Sequence, residues 1–151
     1  MAFAIPAMMI ASAAIAAVGA IQQGRAAKAA GEFNANIARQ NATLSREEAA
    51  RQAGVQDREN YLRLGAIRAA QGKSGAAAGE GSVLDVIGDA AAQGEKQRQH
   101  ILYVGELKAR GYNNTASLDE FSGAQAETAG YLKAGSTLLS GASSYYNLTR
   151  T

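Results

Sequence analysis

The sequence predicts an all-α fold: an elongated hairpin of long, Ala/Gly-rich helices that assembles as an oligomer. Four observations predict it. A single proline in 151 residues, at position 6, leaves nearly the whole chain free to be helical. No stretch shows the period-two alternation of β-branched residues that marks a strand. Glycines crowd together between Gly72 and Gly81, where a helix must give way to a turn. Large side chains are scarce, with three Phe, six Tyr and no Trp. Helices that touch through Ala, Gly and Ser are then the economical alternative to a thick core.

The chain opens with residues 2–24, which carry no charge, and charges begin at Arg25. The apolar members of this segment are Phe3, Ile5, Met8, Met9, Ile10, Ile15, Val18 and Ile21. A 20-residue helix is about 30 Å long, enough to cross bilayer hydrocarbon. Its strongest six side chains (Phe3, Ile5, Ile10, Ile15, Val18, Ile21) contribute roughly −2 to −4 kcal/mol to insertion. Pro6, Ser12, Gly19 and the alanines offset much of that, so insertion is marginal and conditional. No Lys or Arg precedes the apolar run, which argues against a secretion signal. Pro6 suits a first helical turn, where its missing N–H costs nothing.

A first long helix is expected from Ala7 to about Ala70, with Gly19, Gly24 or Gly31 as places for a kink. Small residues recur every four positions at Ser12, Ala16, Ala20 and Gly24, and again at Ala27, Gly31 and Ala35. Such ridges let backbones approach closely. Phe33, Leu44, Val55 and Ala66 repeat every eleven residues, the period of a nearly straight bundle seam. Glu47 with Arg51, and Glu59 with Arg63, are i, i+4 pairs. The domain plan is thus an apolar 1–24, a first arm 25–71 and a turn 72–82 built on Gly72, Gly75, Gly79 and Gly81. Ser82 reads as an N-cap, with Asp85 as its capping-box partner and as a charge suited to a helix start.

The second arm is expected over 83–112, with a stripe of Leu84, Ile87, Ala91, Gly94, Ile101 and Gly105 interrupted by Arg98 and Lys108. Glu106 and Arg110 form another i, i+4 pair. Asn113 and Asn114 mark a break, and Ser117 reads as the cap of a third helix carrying Leu118, Phe121, Gln125 and Leu132. The tail 113–151 ends small and apolar. In a hairpin both apolar chain ends lie toward the same end.

Composition excludes much chemistry. The 15 basic and 13 acidic residues are interleaved and leave a net charge of +2, which is no nucleic-acid signature by itself. Without cysteine there are no disulfides, Cys-based zinc sites or thiol nucleophiles. His100, the only histidine, builds no His-rich metal site. Gly72-Lys73-Ser74 lacks the glycine five residues earlier that a phosphate loop needs, since Ile67 stands there. Gly79-Glu80-Gly81 has Leu84 where a dinucleotide fingerprint has its third glycine. No carboxylate pair converges on a general acid or base. No catalytic residue, cofactor or metal is therefore expected. Arg25, Lys28, Arg39 and Arg46 are open to two readings: a positive flank to a membrane segment, or an ordinary solvated face.

Several stretches together carry a resemblance. Leu64-Gly65-Ala66-Ile67-Arg68-Ala69-Ala70, then Gly72, Ser74 and Gly81-Ser82-Val83-Leu84-Asp85-Val86-Ile87, resemble the central signature of tailed-phage internal virion (ejection) proteins. Ile101-Leu102-Tyr103-Val104-Gly105-Glu106, with Ala109 and Gly111-Tyr112, is similar to their second helix, as Ala134 to Ala142 is to their closing segment. The longer Gly/Ala turn departs from the version in short-tailed coliphages. The resemblance implies a non-enzymatic homo-oligomer in the capsid interior near portal and tail, beside other internal virion proteins. It further implies ejection at infection into the host periplasm and outer membrane, as part of a conduit through which phage DNA passes. The alternatives are a structural adaptor that never enters a membrane, and a holin-like membrane protein.

Overall fold

A computed structural model describes residues 4–73 and 82–149. Two helices account for them: α1 (Ala4–Lys73) and α2 (Ser82–Thr149), packed against each other as an antiparallel hairpin. Their lengths, 70 and 68 residues, far exceed an ordinary globular helix. Alanine, the best helix former, and a proline confined to the first turn make that possible. α1 ends on Lys73 and α2 starts with Asp85 in its first turn, both favourable to the helix dipoles.

Two expectations are corrected. α1 is continuous through Gly19, Gly24 and Gly31, as the single long helix expected, but it also runs on through Gly72, which therefore belongs to the helix and not to the turn. α2 passes through Asn113 and Asn114, so the expected break and third helix are absent among the described residues. The Ser117 hydroxyl caps nothing; it donates back to the Asn113 carbonyl at 3.1 Å. Packing decides here: Ala109 and Ala116, seven residues apart, are both buried, and their contact outweighs the small propensity cost of two asparagines. Gly75, Gly79, Gly81 and Phe3 lie outside the described residues, as do the side chains of Ile5, Met8, Met9, Ile10 and Ser82.

The hairpin falls into two compact units. One takes α1 up to Ala38 with α2 from Asn113 onward; the other takes Arg39 to Tyr112. In both, the buried hydrophobic positions among the described residues are alanines. In the first unit Ala17, Ala20 and Ala134 cluster with Ile21 against them, and Ala35, Ala38 and Ala116 form a second cluster. In the second, Ala42, Ala49, Ala53 and Ala109 are buried. Each contributes little more than a methyl group, roughly 0.8 kcal/mol. No large side chain among the described residues is fully buried.

Candidate interaction surface

The first unit is closed by glycine. A Cβ placed on Gly130 would lie 2.8 Å from the Ala20 carbonyl oxygen and 3.1 Å from the Gly24 Cα. One placed on Gly31 would lie 2.5 Å from the Asp119 carbonyl oxygen and 3.2 Å from the Gly123 Cα. The two glycine pairs are seven residues apart on each helix, the spacing of a heptad seam. Only hydrogen fits at Gly31 and Gly130, and the contacts at Gly24 and Gly123, 3.0 and 3.1 Å from a Cβ, are tight, so the backbones approach closely. Small residues recur in α1 at Ala13, Ala17, Ala20 and Gly24, by threes and fours. The expected four-residue row of Ser12, Ala16, Ala20 and Gly24 drifts off this face: Ala20 and Gly24 are buried, whereas Ser12 and Ala16 are exposed.

Polar side chains flank this seam. Lys28 Nζ lies 2.7 Å from Glu127 Oε2. Arg25 donates through Nε and a terminal nitrogen to the Tyr131 hydroxyl, each at 3.3 Å, with its guanidinium carbon 6.0 Å from the ring centroid. The Tyr131 hydroxyl in turn donates to Glu127 at 3.4 Å. The hydrogen bond from Lys28 holds the Glu127 carboxyl below its ordinary range, with the charges of Lys28 and Arg25 and the Tyr131 bond adding to it. These bonds make Arg25 and Lys28 bridges from α1 to α2.

The second unit mixes alanine with polar pairing. Gly105 packs on the Ala49 methyl, and the Ser45 hydroxyl donates to the Gly105 carbonyl at 3.3 Å. Glu106 is held by three bonds. Arg46 donates to both its oxygens, at 2.8 and 3.4 Å, and Arg110 donates at 3.3 Å. Those bonds, Arg46 first, lower the Glu106 pKa from its ordinary value. Further along, Gln56 donates to Gln97 at 3.0 Å and to Asn60 at 3.2 Å, and the Asn60 amide lies over Gly94. Arg98, which interrupts the apolar stripe of α2, is received by Asp57 at 3.0 Å. Arg51 pairs with Glu48 at 2.9 Å rather than with Glu47.

The larger apolar side chains are elsewhere. Phe33, Leu44 and Val55 are exposed rather than lining a seam inside the hairpin. Gly31, Ala42 and Ala53, each two residues earlier and so about 200° round the helix, are the buried ones. The eleven-residue period is real, but it marks the outer face. Ile15 and Val18 of the N-terminal segment are exposed as well, with Ile21 half-buried. On α2 the same holds for Leu118, Phe121, Leu132 and Leu139.

Among the described residues no three acidic or histidine side chains converge as metal ligands. No helix among them is long and apolar enough to cross a membrane. A surface hollow of about 440 Å³ lies on the outer side of α2 between Phe121 and Leu132. The arrangement thus combines close helix pairing inside with exposed apolar side chains outside. Neither a protein-family model, nor a curated protein, nor a solved structure matches this chain.

Proposed function

We propose that this chain is a non-enzymatic structural subunit of a tailed-phage particle, carried in the virion interior and ejected at infection. It works by assembling with copies of itself and with neighbouring internal, portal and tail proteins. Its N-terminal segment, residues 1–24, then helps to line a conduit across the host outer membrane and periplasm for the genome. The observation that carries this reading is the inversion of the hairpin. Alanine and glycine fill the inside, while leucine, phenylalanine and tyrosine face outward. A helical pair so arranged gains little by folding alone and much by being covered. The phage setting rests on the ordered resemblance from Leu64 to Ala142.

A second reading, an adaptor that never leaves the particle or meets lipid, is favoured by the Lys28–Glu127 and Arg25–Tyr131 bridges. They place charge directly beside the apolar end of the hairpin. Particles carrying the chain without residues 2–21 separate the two. Normal particles that contain the protein but fail to deliver DNA support ejection. Loss of the protein from particles supports the adaptor. Full infectivity contradicts both.

A further inference from the structure

The outer side of α2 carries an organised seam. From Asn114 to Tyr146 every third or fourth residue faces the same way: 114, 118, 121, 125, 128, 132, 135, 139, 142 and 146. That is the 3–4 repeat of a helix-packing seam. It lies about 200° from the buried row of Ala116, Gly123 and Gly130. Leu118, Phe121, Leu132, Leu139 and Tyr146 stand on it with exposures of 59–74%. The charged residues of this stretch, Asp119, Glu120, Glu127 and Lys133, all fall outside the repeat.

Area argues for an occupant. The chain exposes 10794 Å². A folded monomer of 15.6 kDa leaves about 7,200 Å² accessible. The excess, roughly 3,500 Å² per chain, is more than the ~1,000–2,500 Å² that each partner contributes to an ordinary obligate interface. The 3–4 repeat asks for a helix as that partner. The repeat is also self-complementary when two copies run antiparallel about Thr128. Phe121 then lies level with Gly135, Leu118 with Leu139, and Leu132 with Gln125, so the phenylalanine meets the smallest residue of the seam. The hollow walled by Phe121 and Leu132 sits at the centre of this arrangement.

We propose that the outer seam of α2, from Leu118 to Leu139, packs antiparallel about Thr128 on the same seam of a second copy of this chain. The proposal rests on the assembly reading above and specifies its surface, an isologous one.

Sedimentation of the full chain tests it beside Leu118→Gln/Leu132→Gln/Leu139→Gln and a control, Tyr61→Gln/Leu62→Gln, altered at exposed apolar residues off the seam. The expected result is an assembly for the wild type and the control, and at most half that mass for the seam variant. A seam variant of unchanged mass overturns the proposal and leaves assembly standing; if that variant has instead lost binding to anionic vesicles, lipid is the occupant. A monomeric wild type overturns both. Should the seam variant lose its helical circular dichroism, Thr128→Cys decides in an otherwise unchanged, cysteine-free chain. Mild oxidation then yields a disulfide-linked dimer, and a persistent free thiol overturns the proposal.

Discussion

Gly31 and Asp119 meet backbone to backbone: a Cβ on Gly31 would lie 2.5 Å from the Asp119 carbonyl oxygen. No rotamer change relieves such a clash, because both partners are main chain. The helices must separate. Replacing Gly31 with alanine therefore costs about 1–3 kcal/mol through overpacking, exceeding the ~1 kcal/mol that alanine gains in a helix interior. Gly130→Ala, facing the Ala20 carbonyl, behaves alike. Gly54→Ala moves the other way. Nothing lies within 4 Å of a Cβ there, so the substitution stabilises by about 0.5–1 kcal/mol. Urea unfolding followed by circular dichroism reads all three, and equal signs at Gly31 and Gly54 would refute the packing described.

Gly94 separates steric clash from adaptable contact. Its Cβ would meet the end of the Asn60 side chain at 2.5 Å, a group that can rotate away. Gly94→Ala is expected to fall within about 1 kcal/mol of the wild type, because helix propensity and the displaced amide nearly cancel. A loss as large as that at Gly31 would show the Gln56–Asn60–Gln97 amides to be rigidly held.

Buried alanines define the helix spacing from both sides. Ala35 and Ala109 have no exposed surface. Ala35→Leu or Ala109→Leu raises hydrophobicity yet destabilises by about 1–3 kcal/mol, since three extra carbons have no space. Exposed Ala16→Leu is neutral within about 0.5 kcal/mol. Thermal midpoints of the three variants check the contrast.

Glu106 makes stability fall in acid. Its bonds to Arg46 and Arg110 lower its pKa from 4.5 in the folded chain. A depressed carboxyl pKa contributes stability that is complete above the unfolded-state value and is lost as pH falls through the folded value. Glu127 and Glu48 are lowered as well, by Lys28 and by Arg51 with Gln52. Glu106→Gln should therefore differ from the wild type at neutral pH and converge with it in acid. In carbon-13 titration the Glu106 carboxyl should protonate below the ordinary glutamate range, and a midpoint at or above 4.5 contradicts the clamp.

Much of the architecture is legible in the sequence, and the limits have physical causes. A lone early proline and a single glycine cluster suffice for two long helices, and their pairing follows from the small-residue rows. The inner face is harder to see, because the usual rule puts large apolar residues inside. Here the distance between backbones is set by glycine and alanine, so Phe33, Leu44 and Val55 share the correct period on the opposite face. Alanine stands on both faces, and Ala16 beside Ala17 cannot be told apart by composition. Asn113 and Asn114 read as a break since local propensity carries no record of Ala109 and Ala116 on either side. The Arg46–Glu106 pair has no sequence signal at all, being 60 residues apart, while Glu106–Arg110 is visible as an i, i+4 spacing.

The central claim is that the outward-facing apolar side chains are there to be covered by further subunits. Sedimentation velocity of the intact chain across a hundredfold dilution tests it most directly. The account predicts a helical species whose mass is a multiple of 15.6 kDa at the upper concentrations and which dissociates on dilution if at all. A single 15.6 kDa species, fully helical at every concentration, would contradict it.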